Sequence, residues 1–257
     1  MKSIFNYIFA IVFFFLIGIK SQAQGWVMSE SDNRVTIIGD EWIKSISNGE
    51  EGELTFMFNG GRDIIILIDD VSETYAKGLG NDYCNAMKSM MEEMKSQMPP
   101  EQLKMMKDMI NQQKAKPAPK VTVTKGRGEV IAGYQTEKYS INVDGELFEE
   151  KWITNDPALK SILEVYKSIQ ELTSKTVTCA VMDESFLKTS PEFSSEYKNV
   201  ERTGIELKSI SYEYGSSETQ TEVISLEKED ISSSEFEIPD DYGETSLKEL
   251  IMSMSEN

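Results

Sequence analysis

Residues 81–113 read NDYCNAMKSMMEEMKSQMPPEQLKMMKDMINQQ. Eight of the 14 methionines of the chain lie in this stretch, and the first five are Met87, Met90, Met91, Met94 and Met98. Steps of three, one, three and four residues place these five on one face of a helix. Two prolines interrupt the pattern, and a second helix is predicted from residue 101 with the apolar face Leu103, Met106, Met109 and Ile110. The stretch therefore predicts a Met-rich helical hairpin over residues 81–113, and we expect the surface that it covers to decide the function.

Antiparallel strands are predicted on both sides of the hairpin. Residues 54–58 lead into Asn59-Gly60-Gly61, a strong β-hairpin signal, and residues 63–68 form the returning strand. Residues 64–68 are apolar at every position, which requires a cover on both faces of the sheet. Further strands are predicted at residues 121–125, where glycines at 126 and 128 break the run, and at 134–143 and 147–154 around an Asp-Gly turn.

An amphipathic helix is predicted to follow these strands. Asp156 is a suitable N-cap and Pro157 a suitable first residue. The apolar stripe of this helix comprises Leu159, Ile162, Leu163, Tyr166, Ile169 and Leu172. A last hairpin is predicted around a turn at 215–217, followed by an extended segment that docks through Phe236, Ile238 and Tyr242. Strands in series, with amphipathic helices to cover them, predict one domain of the α+β class over residues 24–257.

Residues 1–23 have the pattern of a signal peptide. Lys2 precedes an almost unbroken apolar run over residues 4–19, and Ser21-Gln22-Ala23 offers small residues for cleavage. The alternative is an uncleaved N-terminal anchor. No later segment approaches the roughly 18 apolar residues of a membrane span. We therefore expect an exported mature chain that begins at Gln24.

The composition argues against two broad functions. A formal net charge of −18 repels phosphate backbones, so nucleic-acid binding is not expected. The chain contains no histidine, the commonest general base and zinc ligand. We therefore predict a protein that is not an enzyme and needs no cofactor.

Cys84 and Cys179 are the two cysteines of the chain. In an oxidising compartment they fit a disulfide that closes a loop of about 95 residues. Two independent buried thiols fit the sequence equally well. The sequence leaves these alternatives open.

The methionine stripe fits two kinds of site. Thioethers adapt to apolar partners, and they also bind soft ions such as Cu(I) through the spacing of Met87, Met90, Met91 and Met94. Packing or apolar contact is the better interpretation, because no histidine or compact cysteine cluster accompanies the methionines. An apolar ligand cavity is therefore predicted from Met87, Met90, Met91, Met94, Met98, Met106, Met109, Trp152 and Tyr166.

Several motifs resemble those of one exported Gram-negative family. They are GYQTEKY at residues 133–139, KWIT at 151–154, SSSEFEIPDDY at 232–242 and MPPEQLKMMKDM in the hairpin. The chain resembles domain-of-unknown-function family 4412, which is similar in architecture to the outer-membrane lipoprotein carriers. The resemblance implies a curved antiparallel sheet, an open half-barrel, with helices in the concave face where those carriers shelter acyl chains. It implies no catalytic residues. The polar residues 29–32 depart from the pattern and predict an abbreviated first edge of the sheet.

Three hypotheses about function follow. The first is a periplasmic carrier or binding module for an apolar or acylated, lipid-like ligand, with secretion as a lesser alternative to the periplasm. The second is a Met-based Cu(I) or Ag(I) protein. The third is a structural or partner-binding envelope protein with a filled core.

Overall fold

The computed structural model describes residues 22–49, 52–180, 183–212 and 219–256. Most of the predicted signal peptide and the predicted turn at 215–217 lie outside these ranges. The first described strand begins at Gln22, two residues before the predicted mature start at Gln24.

The strands form a single open sheet. They are β1 Gln22–Glu30, β2 Arg34–Ile38, β3 Ile43–Gly49, β4 Gly52–Asn59, β5 Ile64–Asp69, β6 Thr74–Leu79, β7 Val121–Ile131, β8 Tyr134–Val143, β9 Glu146–Thr154, β10 Ile205–Ser211, β11 Thr219–Ser232 and β12 Gly243–Glu244. Their order is β12-β6-β5-β4-β3-β2-β1-β11-β10-β9-β8-β7. All neighbouring pairs are antiparallel except the short parallel pair of β12 and β6.

Six α-helices lie within the described residues. They are α1 Gly80–Gln97, α2 Pro100–Ala115, α3 Lys160–Ala180, α4 Glu184–Thr189, α5 Ser195–Glu201 and α6 Leu247–Glu256. The molecule therefore combines α-helices with a large, unclosed, mainly antiparallel sheet. The predicted hairpin corresponds to α1 and α2, and the predicted amphipathic helix corresponds to α3.

Strand β5 is covered on both faces, as its continuous apolar run predicts. On one face Ile65 and Leu67 pack in a cluster with Ala86 of α1, Leu172 of α3 and Leu250 of α6. On the other face Ile66 and Ile68 pack in a cluster with Phe236, Ile238 and Tyr242. The docking of the extended C-terminal segment is thereby confirmed.

Helix α3 carries the main core. Of the predicted stripe, Leu159 in the turn before the helix and Ile162, Ile169 and Leu172 in the helix are buried. The first three pack with side chains from β1, β2, β9, β10 and β11, whereas Leu172 joins the cluster on β5. Asp156 accepts a 2.8 Å hydrogen bond from the backbone N–H of Ala158, which caps the 3₁₀ turn leading into the helix. The predicted helix start is therefore confirmed.

One prediction about the strands is wrong, and a second is confirmed only in part. Strand β1 is nine residues long and lies between β2 and β11, so it is not an abbreviated edge. It pairs with β2 and with β11, which is about 200 residues away in the chain, and the polar composition near Ser29 does not prevent either pairing. Strand β7 continues through both glycines, and the predicted break is a shift in its pairing register with β8 between Arg127 and Val130. A Cβ at Gly128 would lie 2.3 Å from the Thr136 carbonyl oxygen, so this glycine permits a close approach of β8 instead of ending the strand.

Candidate functional site

The methionine stripe of α1 is covered at its beginning and becomes accessible toward its end. Helix α1 contacts α3, α6 and strands β5 and β6. Its buried residues, Gly80, Cys84 and Ala86, all lie in the first two turns. Met87, Met90 and Met91 are half-buried, and Met94 is 52% exposed. The stripe thus begins as a packing face and becomes a partly open apolar surface.

Helix α2 is attached mainly through its last turns. None of its residues is buried, and Met105 and Met109 are 71% and 45% exposed. Lys114 Nζ lies 2.9 Å from Asp183 Oδ2, and Gln113 hydrogen-bonds Thr189 of α4. Hydrogen bonds from Lys114 and Ser185 lower the pKa of Asp183 to about 2. This end of α2 is therefore held to α4, and the rest of the helix is open to solvent along one side.

None of the eight hairpin methionines is buried. Met87, Met90, Met91, Met98 and Met106 are half-buried, whereas Met94, Met105 and Met109 are exposed. We call these eight residues the methionine surface: Met87, Met90, Met91, Met94, Met98, Met105, Met106 and Met109. The hairpin therefore presents thioethers to solvent instead of burying them as a closed plug.

A disulfide fixes the methionine surface to the rest of the molecule. Cys84 of α1 and Cys179 of α3 are bonded, with their Cα atoms 5.5 Å apart. Of the two alternatives that the sequence left open, the disulfide is the one present. The bond also consumes the thiols, so a soft metal ion on α1 would meet thioethers alone. Among the described residues, no three Cys, Asp or Glu side chains are grouped to hold a metal ion.

Trp152 and Tyr166 are not brought together with the hairpin methionines. Trp152 is 7% exposed, with the Lys138 and Lys208 ammonium groups 4.7 and 5.0 Å from its ring centroid. The Tyr166 hydroxyl lies 3.9 Å from the sulfur of Met28, and burial raises its pKa. Both side chains belong to the core cluster around α3, which contains none of the methionine surface. Their place is in the core.

A family model matches residues 79–242, and it is described as Domain of unknown function (DUF4412). The chain belongs to this family. The match covers well over half of the chain, so the resemblance found in its motifs is confirmed at the level of the family. A comparison with curated proteins finds no match.

The DUF4412 region spans the elements that shape the candidate site. It begins at the start of α1, includes both cysteines, and ends at Tyr242 in the segment packed against β4 and β5. Strands β1 to β5 and all of β6 except Leu79 precede it, yet β1 lies beside β11 in the same sheet. The region therefore shares its sheet with N-terminal strands that the family model does not match. No helix of the described residues has the length and apolar character needed to cross a membrane.

The DUF4412 region also contains a buried ionic network that sequence analysis missed. Lys151 Nζ lies 2.7 Å from Glu206 Oε2 and 3.4 Å from Glu149 Oε1. The Tyr197 hydroxyl of α5 donates a 2.6 Å hydrogen bond to Glu149 Oε2. Burial raises the pKa of Glu149, although the Lys151 ammonium opposes the shift. Burial alone would lower the pKa of Lys151, but Glu206, Tyr197 and Glu149 raise it above its usual value.

This network attaches α5 to the sheet. Glu149 and Lys151 are two residues apart on β9, so their side chains lie on the same face of the strand. This spacing of opposite charges was the only signal of the network in the sequence. Because each charged group has an oppositely charged or hydrogen-bonding partner, the network acts as an internal tie and leaves no free base or nucleophile.

Proposed function

We propose that this protein is a non-enzymatic binding protein of the bacterial envelope that carries an apolar or acylated ligand on its methionine surface. The observation that supports the proposal best is the accessibility of all eight hairpin methionines on helices joined to the body by a disulfide. The absence of histidine from the whole chain supports the non-enzymatic part.

The chemistry of methionine suits a ligand of variable shape. Its side chain is unbranched and polarisable, so a set of methionines can repack around different apolar groups. Exposed apolar side chains that cluster on one part of a soluble protein mark interaction surfaces more often than isolated ones do. Met94, Met105 and Met109 are exposed apolar groups on two helices that are consecutive in the chain, and the proposal assigns them to one surface.

The proposal also gives the sheet a shape like that of a lipoprotein carrier. In this proposal the sheet bends into an open half-barrel and the helices α1, α3 and α6 line its concave side, as in the outer-membrane lipoprotein carriers. The shared cluster of these three helices on one face of β5 supports this arrangement. The proposed location is the periplasm, which rests on the signal-peptide pattern of residues 1–23.

The test removes apolar character from exposed positions only. The variant Met94→Gln/Met105→Gln/Met109→Gln should fold normally, because no substituted side chain is buried. Its affinity for a fluorescent-labelled fatty acid should fall at least tenfold relative to the unmodified protein. The matched control Val130→Gln/Ile224→Gln changes two exposed apolar residues of β7 and β11 and should bind normally. Equal binding by all three proteins, or no binding by any, would reject the proposal.

A second variant separates apolar binding from metal binding. Met87→Leu/Met90→Leu/Met91→Leu/Met94→Leu keeps the apolar area but removes four thioethers. Fatty-acid binding should survive these substitutions, and Cu(I) retention against a competing chelator should be negligible before and after them. If Cu(I) is retained stoichiometrically and lost in this variant, the thioethers serve a metal instead.

A further inference from the structure

A cleft of about 430 Å³ opens between the first half of α3 and the ends of three strands. It is separate from the methionine surface, since none of those residues lines it. The apolar part of its wall comprises the half-buried Val165 and small accessible parts of the buried residues Trp26, Ile38 and Ile162. Small-molecule sites commonly have volumes of roughly 300–1,000 Å³ and mainly apolar walls. The cleft therefore has the size of a site for a small ligand, and its wall is polar as well as apolar.

Glycines in the turns beside this cleft allow close approaches to neighbouring residues. A Cβ at Gly60 would lie 2.5 Å from Ser168 Oγ and 2.6 Å from the Ser168 carbonyl carbon. A Cβ at Gly39 would lie 2.8 Å from the ring of Phe236. Larger residues at either place would force the turns away from their neighbours. Close contacts of the strand ends therefore help to define the cleft. Gly39 and Ser168 are two of its lining residues.

The polar groups of the cleft are mainly acidic. Asn59 is 1% exposed, accepts a 2.9 Å hydrogen bond from the Arg62 backbone N–H, and donates to Glu41 at 3.4 Å. Arg62 is the one cation of the lining, and its Nη2 lies 2.9 Å from Glu41 Oε2. Asp40 and Glu164 also line the cleft, and neither has an ion pair or hydrogen bond within the described residues. The carboxylates of Asp40 and Glu164 therefore have no cationic partner among the described residues.

We propose that this cleft binds a small organic cation that carries a short hydrocarbon group. The hydrocarbon would lie against the half-buried side chain of Val165 and the small accessible part of Trp26, where it displaces water from apolar surface. The cation would lie between the carboxylates of Asp40 and Glu164, near the Trp26 ring, where opposite charge and the aromatic face both favour it. The same carboxylates, on a protein of net charge −18, disfavour an anionic ligand of equal size.

Three six-carbon probes test the charge preference. The probes are hexyltrimethylammonium, hexanol and hexanoate, which differ in the charge of the head group. The chain has three tryptophans, so an amide correlation spectrum should contain three indole N–H signals, and the Trp26 signal is assigned with Trp26→Phe. The ammonium probe should shift the Trp26 signal saturably with one-to-one stoichiometry. Hexanoate should bind at least tenfold more weakly, and hexanol should fall between the two.

Two pairs of variants on α3 locate the site. Ser161→Phe places a ring at the mouth of the cleft and should abolish binding, whereas Ser174→Phe, also exposed but outside the cleft, should not. Glu164→Gln should weaken ammonium binding severalfold, whereas Glu171→Gln should leave it unchanged. Binding that survives Ser161→Phe would refute the location of the site. Equal binding of hexanoate and hexyltrimethylammonium, or binding of neither, would refute the proposed ligand.

Discussion

The disulfide between Cys84 and Cys179 should contribute a large part of the stability of this protein. The two cysteines are separated by 95 residues, so the bond restricts a long segment of the unfolded chain. The loop-entropy relation gives about 4–5 kcal/mol for a loop of this length. Measured losses are often smaller than this relation predicts, because the unfolded chain keeps some structure. We therefore expect Cys84→Ser/Cys179→Ser to lower the free energy of unfolding by about 2–5 kcal/mol.

Urea denaturation followed by tryptophan fluorescence and circular dichroism measures this loss. The double variant should also show a larger m-value, since its unfolded chain exposes more surface than the cross-linked one. The single variants Cys84→Ser and Cys179→Ser provide the matched controls. Each alone removes the bond, so each should lose about as much stability as the double variant, which is far from additive.

Two results would refute this reasoning. One is a loss below about 1 kcal/mol with an unchanged m-value, which would mean that the bond does not restrict the unfolded chain. The other is additive losses in the single variants, which would mean that each cysteine stabilises the fold through its own packing. Intact mass after alkylation, with and without reduction, shows in the same samples whether the bond is formed.

Three further substitutions have expected outcomes. Gly128→Ala should lower the free energy of unfolding in urea by about 1–3 kcal/mol, because its Cβ would lie 2.3 Å from the Thr136 carbonyl oxygen. The control Gly126→Ala on the same strand should cost much less, because its Cβ would lie 4.0 Å from the nearest atom. Lys151→Met should cost about 3–5 kcal/mol, because it leaves the buried carboxylate of Glu149 without its cation, and a loss as small as that of an exposed Lys104→Met control would contradict this. Burial raises the pKa of Glu201 above 4.5, while Lys151 opposes the shift and Glu206 and Glu149 add to it. The folded state therefore holds this proton more firmly than the unfolded state does. The contribution of this proton to stability falls as the pH rises through the raised pKa. Glu201→Gln should therefore be more stabilising, relative to the unmodified protein, at pH 7 than at pH 4, and an equal difference at the two pH values in urea denaturation would show that this pKa is not raised.

Local sequence patterns predicted most elements because they depend on neighbouring residues. The methionine spacing and the Pro99-Pro100 break predicted α1 and α2, and Asp156-Pro157 predicted the turn into α3. The apolar run of β5 predicted a sheet covered on both faces, and both covers are present. These features follow from helical periodicity, capping and the alternation of strand side chains, which the chain carries within a few residues.

Contacts between residues far apart in the chain could not be predicted from local sequence patterns. The partner of β1 is β11, and the pairing of Glu149 and Lys151 with Tyr197 and Glu206 joins three separate elements. The turns at Gly39 and Gly60 also approach side chains that are distant in the sequence, Phe236 and Ser168. No local pattern specifies which remote segment meets which.

The amino-acid sequence by itself determined the types of most elements, the strong negative charge, the absence of histidine and the concentration of methionine in one segment. Tertiary structure alone decided that Cys84 meets Cys179, that β1 is central, and that the hairpin methionines stay accessible instead of entering the core. The physical reason is that periodicity selects which face of a helix is apolar, whereas the degree to which that face is covered depends on where the helix lies. Helix α1 contacts the sheet, α3 and α6, while α2 is attached mainly at its end, and only this three-dimensional placement leaves the methionine surface open.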